Sequence, residues 1–429
     1  MVAVVSNTSG ELMAAHVSKN LTETLANASQ QAKARNYADV LIIDTDCHHM
    51  ETSNRSWKGV SEYIEDDTIR LRVANALRMR PNAGAPGSMI PDNLGDRHLG
   101  GRIQRLGLTP ADIAPGEVAE AAAVKRAEEC MGIDYSILFP TQLINIGVLP
   151  EVDVQVHVMW AYARWLTENL LPAEPSIKTM VCLPFNDADA SLRMVKTFGE
   201  RPGVLGFVIG GTFHHPVQAK RYLPIYAEIE ALGKPIAFHS AYNWRDRLTE
   251  QFNKFLSAHG VGRTLYNMVH ITNWTINGIP ERFPKLRAIW IESGVTFVPF
   301  LMQRLDAEYM MRSSEAPMLK RLPSEYMREY FYTTQPLEKT VHHDALAMTF
   351  NMINAESQLL YASDYPHWDF DLPSVIYDLP FLSDSARRNI LGETALKLFN
   401  LERPAAYNDG TPSVDGFAPE PAARLEVED

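Results

Sequence analysis

The chain has 429 residues, of which 46% are hydrophobic and 21% are charged, and its net charge is −12 at pH 7. The length suits an α/β barrel with insertions, and the composition is that of a globular protein. The negative charge argues against nucleic acid or an anionic membrane as a partner. The sequence contains no run of about 18 apolar residues, so we predict no transmembrane helix. Its three cysteines are far apart, which indicates a reducing compartment. We therefore predict a soluble, cytoplasmic protein.

The two ends of the chain differ in composition from its middle. Residues 1–36 are rich in Ala, Ser, Thr and Asn, and we predict an N-terminal extension that packs on a partner subunit or is mobile. Residues 403–429 hold four prolines and mostly acidic charge, and we predict a poorly ordered tail or a segment that clasps a neighbouring subunit. The expected organisation is one barrel domain over residues 37–402 with an extension at each end.

Short apolar runs alternate with longer helical patterns through the middle of the chain. Most of these runs are continuous, as expected for strands buried on both faces of a parallel sheet. The predicted strands are Val40–Asp46, Tyr135–Pro140, Lys178–Leu183, Val204–Ile209, Pro235–His239, Tyr266–His270, Leu286–Glu292 and Leu359–Asp364. The predicted helices between them include Val154–Leu170, Leu192–Gly199, Leu223–Leu232 and Thr296–Arg312.

Eight strands that alternate with helices predict a (β/α)8 barrel, known as a TIM barrel. A doubly wound sheet is the alternative fold, although no Gly-x-Gly-x-x-Gly follows the first strand. A long loop rich in glycine and proline, from about Arg78 to Gly107, follows the first strand. Loops of this length are usually functional or disordered, and we expect it to lie over the active-site face as a lid or an oligomer contact.

The end of the first predicted strand carries a concentration of polar side chains. The segment Asp44-Thr45-Asp46-Cys47-His48 follows an apolar run. Because alternate residues of a strand point to the same side, Asp46 and His48 should share one face. A carboxylate and an imidazole on one face could bind one cation, whereas Cys47 should point to the opposite face and pack.

Other predicted strands also end in side chains that can bind a metal. Strands five to eight end in His239, His270, Glu292 and Asp364, and His367 follows the last strand. In barrel enzymes these ends converge on one face, where the active site lies. Several ionisable groups buried together are costly unless a cation or shared protons lie among them. The pattern therefore predicts a site for Zn²⁺, Mn²⁺ or Fe²⁺.

The motifs at these strand ends are similar to those of a known family. The chain resembles the amidohydrolase superfamily, in its amidohydrolase-related branch, also called aminocarboxymuconate-semialdehyde decarboxylase-like. Asp46 and His48 match its Asp-x-His pair, and Ser363-Asp364-Tyr365-Pro366-His367 matches its Ser-Asp-Tyr-Pro-His segment. The resemblance covers roughly residues 40 to 400 and does not specify a reaction.

The resemblance implies a role for each matching residue. Asp46, His48, His239 and Asp364 would bind one divalent metal, and His270 and Asp364 would act in acid–base catalysis. Further donors could hold a second metal or orient the first ligands; these are His49, Glu51, His270, Glu292 and His367.

The expected activity is metal-dependent hydrolysis or non-oxidative decarboxylation of a small organic acid, amide or lactone. One alternative is an oxygenase with a dinuclear iron or manganese centre, because the donors are more numerous than one metal needs. A second alternative is a metal-bearing, non-catalytic partner subunit. We expect a homodimer or an assembly with a related subunit, since such barrels are commonly dimeric.

Overall fold

The structure is a computed structural model, and it describes residues 19–49, 54–79, 103–104, 113–210, 215–240, 249, 251–338 and 342–407. Outside these residues lie Glu51, most of the predicted loop from Arg78 to Gly107, and most of the predicted C-terminal tail. Among the described residues, no helix combines the length and the apolar character needed to cross a membrane.

Eight parallel strands form one sheet in which each strand pairs with the next along the chain. They are β1 Ile43–His49, β2 Tyr135–Pro140, β3 Ile177–Cys182, β4 Val204–Ile209, β5 Ile236–His239, β6 Ala288–Ile291, β7 Phe331–Thr333 and β8 Leu359–Leu360. A separate parallel pair joins Lys19–Asn20 to Ile103–Gln104.

Backbone hydrogen bonds between β1 and the segment that begins with β8 close the sheet into a barrel. The Thr45 amide donates to the Tyr361 carbonyl at 2.9 Å, and the Asp364 amide donates to the Asp46 carbonyl at 2.7 Å. The first and last strands are therefore joined next to the predicted metal ligands. The predicted (β/α)8 barrel is confirmed.

Helices cover the outside of the barrel, and the four predicted helices are present with small shifts at their ends. The longer helices are α1 Leu21–Ala34, α2 Asn54–Ser61, α3 Asp67–Met79, α4 Ala119–Met131, α5 Val152–Trp165, α6 Ala188–Phe198, α7 Leu223–Ala231, α8 Arg263–Ile276, α9 Val298–Arg312 and α10 His343–Met352. Shorter α-helices are Leu171–Ala173, Phe255–Ser257, Ile279–Arg282, Pro323–Met327, Ala355–Gln358, Ser374–Tyr377, Asp384–Arg388 and Thr394–Leu398.

The predicted strand Tyr266–His270 is wrong, because this segment lies within helix α8. The buried residues of α8 include Asn267, His270, Ile271 and Trp274, which follow the spacing of one helix face. The strand missing from the prediction is β7, whose three residues are too few to show a period. Glu292 consequently follows the sixth strand rather than ending the seventh.

The described part of the predicted N-terminal extension contains a helix. Helix α1 begins after Asn20, whose side chain accepts a hydrogen bond from the Thr22 amide. Leu21 and Ala28 are buried, and the helix packs against α4. The boundaries of the three predicted segments stay predictions.

Helix α4 carries a buried carboxyl group, that of Glu128, which is not one of the predicted site residues. Ser176 donates a hydrogen bond to it at 2.6 Å, and Lys125 lies 3.5 Å away. Burial raises the pKa of Glu128 to about 7, although its hydrogen bonds with serine side chains oppose the shift. The folded state therefore favours the protonated carboxyl group.

We predict that Glu128→Gln changes the pH dependence of stability. The pKa of Glu128 is higher in the folded state than in the unfolded state. As pH rises from about 4.5 to 7, the contribution of Glu128 to the free energy of unfolding therefore falls by about 3 kcal/mol. Relative to wild type, the variant should gain stability between pH 5 and pH 8, as measured by urea unfolding. Glu129→Gln, at an exposed neighbour, is the control. An equal difference from wild type at both pH values would contradict the prediction.

Candidate metal centre

The ends of four strands bring the candidate ligands together at one end of the barrel. Asp46 and His48 lie in β1, and His239 is the last residue of β5. Glu292 directly follows β6, and Asp364 lies four residues beyond β8. Parallel strands bring their carboxyl ends to the same rim, and the predicted meeting of these residues is observed.

A β-bulge in β1 helps to set the direction of its side chains. Asp44 pairs with Ser136 and Cys47 with Leu138, so Thr45 and Asp46 together oppose the one residue between Ser136 and Leu138. Bulges of this kind redirect side chains and are frequent beside active sites. Asp46 and His48 face the same cluster, as predicted.

The side chains approach one another most closely around Nε2 of His48. Asp46 Oδ1 and Asp364 Oδ1 each lie 3.2 Å from this nitrogen, and His239 Nε2 lies 3.3 Å from it. His239 Nε2 also lies 3.5 Å from Asp46 Oδ1. None of the four side chains is more than 1% exposed, so water does not solvate them.

The orientation of the two imidazole rings favours a cation at the centre of this group. His48 Nδ1 lies 3.1 Å from the Pro140 carbonyl, and His239 Nδ1 lies 2.9 Å from the Ser240 carbonyl. If each Nδ1–H donates to its carbonyl, both Nε2 lone pairs point inward. Two lone pairs and two carboxylates would repel one another unless a positive charge lies among them.

The spacing of the donor atoms fits a divalent metal. Both carboxylate oxygens of Asp46 are buried without a hydrogen-bond donor among the described residues. Adjacent ligands bonded at about 2.0–2.2 Å lie roughly 2.8–3.1 Å apart around an octahedral ion and roughly 3.3–3.6 Å apart around a tetrahedral ion. The separations from His48 Nε2 to the other three donors, and between His239 Nε2 and Asp46 Oδ1, are 3.2–3.5 Å. Oxygen and imidazole donors suit Mn²⁺, Zn²⁺ and Fe²⁺.

The electrostatics of the group show how strongly it requires positive charge. Burial acts to raise the pKa of Asp46, but His239 and His48 outweigh it and hold that pKa below its ordinary value. Burial also disfavours a charged His48, yet Asp46 and Asp364 raise its pKa to about 10. Without a metal, a proton on His48 would compensate the carboxylates; a bound metal would replace that proton.

A second possible ligand group contains His48, Asp364 and His367. His367 Nδ1 lies 2.5 Å from Asp364 Oδ1, and His367 Nε2 lies 3.1 Å from Thr141 Oγ1. This group shares His48 with the group of Asp46, His48 and His239. Because Nε2 of His48 can bind only one ion, the two groups favour one metal rather than two.

Two of the carboxylate residues have an unusual backbone conformation. Glu292 has φ of 56° and Asp364 has φ of 61°, whereas the other non-glycine residues with positive φ in the described chain are asparagines. Asparagine tolerates this region, but glutamate rarely adopts it. Such strain persists where the surrounding structure enforces it, often at functional sites. It supports a functional role for Glu292, whereas aspartate, like asparagine, adopts this region more readily.

Asp44 links the two segments that carry Asp46 and Asp364. Its carboxylate accepts hydrogen bonds from the Ser363 amide at 2.8 Å and from the Asp46 amide at 3.2 Å. It also accepts one from the Ser363 hydroxyl, which in turn accepts one from the Tyr365 amide. The motif that contains Asp44 does not identify this linking role, because its partner Ser363 lies more than 300 residues away in the chain.

Two predicted donors lie elsewhere, and a third cannot be placed. His49 Nε2 lies 2.6 Å from the Tyr162 hydroxyl, and its ring stacks on Tyr162. His270 is buried on α8, where its ring contacts Phe238 and Tyr266. Burial lowers the pKa of both histidines to about 3. Neither belongs to the two ligand groups, and Glu51 lies outside the described residues.

His270 was expected at a strand end, but it lies within helix α8, and its catalytic role stays a prediction. The structure instead brings Arg263, one residue of the same helix, into an ion pair with Glu292. The strand predicted over Tyr266–His270 left Arg263 outside any predicted element, so its place beside Glu292 was not predicted. A helical interpretation would have placed Arg263 and Asn267 on one face, since they are four residues apart.

The fold and the site together define a parallel α/β barrel with a candidate metal centre at the carboxyl ends of its strands. A family model described as amidohydrolase matches residues 45–401, and the chain belongs to this amidohydrolase family. The family predicted from the strand-end motifs is confirmed.

Several known proteins are similar to this chain. It is 20% identical over 272 residues to γ-resorcylate decarboxylase of Rhodococcus jostii (strain RHA1), a match that covers 60% of this chain and 81% of that protein. It resembles the manganese-bound structure of 5-carboxyvanillate decarboxylase from Novosphingobium aromaticivorans, with a TM-score of 0.60 and 17% identity over 85% of this chain and 98% of that one. It also resembles the structure of an amidohydrolase from Mycobacterium avium subsp. paratuberculosis, with a TM-score of 0.64 and 17% identity over 84% of this chain and 99% of that one. At these identities the structures support the shared fold.

We predict that His239→Ala weakens Mn²⁺ binding by more than about 100-fold, because loss of a direct ligand should exceed the 10- to 100-fold effect of losing an outer partner. Binding is measured by calorimetric titration of chelator-treated protein. His343→Ala, at an exposed position on α10, is the control and should match wild type. A dissociation constant for His239→Ala equal to that of wild type would remove this histidine from the ligand set.

Proposed function

We propose that this protein is a metal-dependent, non-oxidative decarboxylase of a small hydroxylated aromatic acid. The observation that carries the proposal is the buried group of two carboxylates and two imidazoles, with the Asp364–His367 pair beside it. The similarity to γ-resorcylate and 5-carboxyvanillate decarboxylases supports the substrate class. Manganese in the solved structure of the latter supports the choice of metal.

In this proposal Asp46, His48, His239 and Asp364 hold the ion. A divalent metal held there would supply positive charge that attracts the carboxylate of the substrate. The side chains themselves keep the site dry, because they are almost fully buried. A dry site strengthens every charge interaction within it.

The Asp364–His367 pair is the proposed source of the proton that decarboxylation requires. Breaking the bond between the ring carbon and the carboxylate releases CO₂ and leaves the electron pair on the carbon. A proton shared between Asp364 Oδ1 and His367 Nδ1, which lie 2.5 Å apart, then transfers to that carbon. Solvent restores the proton, and the reaction needs no oxidant.

The backbone around Asp364 fixes the position of this proton donor. The Asp364 amide donates to Asp46, and the His367 amide donates to the Asp364 carbonyl at 2.8 Å. The Thr141 hydroxyl lies beside His367 and donates to the His49 carbonyl at 2.9 Å. These bonds hold the pair against β1 and β2, as a reactive group must be held.

Hydrolysis of an amide, ester or lactone is the second candidate. The family description favours it, and the Asp364–His367 pair could accept a proton from water. The dinuclear oxygenase is less well supported, because both ligand groups require His48 and Glu292 is paired with Arg263. The partner-subunit alternative is also less well supported, because all four ligands implied by the resemblance are present.

A homodimer in the cytoplasm completes the proposal. Exposed apolar side chains, including Phe300, Met311 and Met348, lie on helices of the barrel surface and could be covered by a second copy. Cys47, Cys130 and Cys182 form no disulfide, which supports a reducing compartment.

We predict that Mn²⁺-loaded protein releases CO₂ from a hydroxybenzoate such as 2,6-dihydroxybenzoate, and that Asp364→Asn lowers the rate by about 10²- to 10⁴-fold because it removes a proton-transfer group. CO₂ release is measured over a panel of hydroxybenzoates. Asp384→Asn, at an exposed position, is the control. Hydrolysis of amides or lactones without CO₂ release from any hydroxybenzoate would favour the second candidate instead.

A further inference from the structure

Glu292 is held at the edge of the candidate metal centre by the backbone around it. Its amide donates to Thr333 Oγ1 at 3.1 Å, and its carbonyl accepts a hydrogen bond from the Ser240 hydroxyl. These two bonds fix a backbone conformation with φ of 56° that glutamate rarely adopts. Because Thr333 ends β7 and Ser240 follows β5, both neighbouring strands enforce the position of Glu292.

The carboxylate of Glu292 lies within reach of the metal without joining its ligands. Oε2 is 3.5 Å from His239 Nε2, the same nitrogen that faces Asp46 and His48. Neither of the two ligand groups found among the described residues includes Glu292. A small rotation of a flexible glutamate side chain would therefore bring a third carboxylate onto the ion.

Arg263 holds the other carboxylate oxygen of Glu292. Its guanidinium forms an ion pair with Oε1, and both side chains are largely buried, Glu292 almost completely. A buried carboxylate of this kind is costly unless a cation accompanies it. Arg263 thus occupies the oxygen of Glu292 that does not face His239.

The helix that carries Arg263 is fixed to the same two strand ends. Asn267, one turn later, donates to the carbonyls of Phe238 and Ile291 at 3.2 and 3.1 Å. These residues directly precede His239 and Glu292 in the chain. The Thr264 hydroxyl donates to the Ser293 carbonyl at 2.8 Å. The start of α8 therefore keeps a constant position relative to Glu292.

The charges of the site show what the ion pair achieves. Asp46 and Asp364 balance one divalent cation, and the pair of Arg263 with Glu292 adds no net charge. Without Arg263, Glu292 would be a buried anion whose nearest available positive charge is the metal. The carboxylate would then turn toward the ion and occupy a position that a substrate needs.

We infer that Arg263 is a positioning residue that holds Glu292 off the metal and keeps one metal position open for substrate. This inference rests on the metal centre and activity proposed above. It assigns Arg263 a role different from support of the fold. A residue that only supported the fold would weaken metal binding when removed, whereas removal of Arg263 should strengthen it.

The test is an electron paramagnetic resonance titration of free Mn²⁺ with chelator-treated protein. Arg263→Met should bind Mn²⁺ at least about tenfold more tightly than wild type, because a nearby positive charge is lost and a carboxylate is released. The double variant Arg263→Met/Glu292→Gln should return to within about threefold of wild type. On Mn²⁺-loaded protein, 2,6-dihydroxybenzoate should alter the spectrum of wild type but not that of Arg263→Met.

Arg321→Met is the matched control, because Arg321 pairs with Glu329 and stacks on Tyr326, none of which belongs to the ligand groups. It should leave Mn²⁺ binding unchanged. Thermal unfolding of each variant verifies that it is folded. If Arg263→Met does not fold, Arg263→Gln takes its place with the same expectation.

Unchanged or weaker Mn²⁺ binding by a folded Arg263 variant would overturn the inference. Failure of the double variant to restore wild-type binding would also overturn it, because the effect would not pass through Glu292. If wild type itself binds no Mn²⁺, or binds it as weakly as His239→Ala, the metal centre is wrong. If wild type binds Mn²⁺ as expected and the Arg263 variant binds it with the same affinity, only the role of Arg263 is refuted.

Discussion

Two carboxylate oxygens and a second imidazole nitrogen lie within 3.3 Å of Nε2 of His48, and all four side chains are buried. Such a group repels itself unless a positive charge lies at its centre. At the edge of the group, Arg263 forms an ion pair with Glu292. The need for a shared cation therefore governs the composition of the whole rim.

Several specific interactions of the fold hold these side chains in place. Closure of the barrel joins Asp46 to Asp364 through the backbone, and Asp44 connects the same two segments through Ser363. Positive φ values at Glu292 and Asp364 direct two carboxylates toward the rim. Each of these features is local, but all of them act on the same small volume. A site held in this way can bind an ion without rearrangement.

Much of this arrangement could be predicted from the sequence. Continuous apolar runs predicted seven of the eight strands, and the polar residue after each run identified Asp46, His48, His239, Glu292 and Asp364. These predictions succeed because a parallel barrel sends the carboxyl ends of all its strands to one rim. Neighbouring positions in the chain then imply neighbouring positions in space.

The predictions failed where a short segment fits more than one secondary structure, or where a residue's partner lies far away in the sequence. Tyr266–His270 is apolar enough for a strand, but its buried residues belong to a 14-residue helix. His49 was counted among the donors, yet its ring packs against Tyr162, which no local pattern indicates. The roles of Asp44 and Arg263 depend on Ser363 and Glu292, and only the folded chain brings those partners together.

The measurement that tests the account most directly is the metal content of the wild-type protein, purified without chelators and analysed by element-specific mass spectrometry. The geometry around His48 predicts one divalent ion per chain. Two ions per chain would contradict the single centre and support a dinuclear site. A folded protein that retains and takes up no divalent metal would contradict the account as a whole.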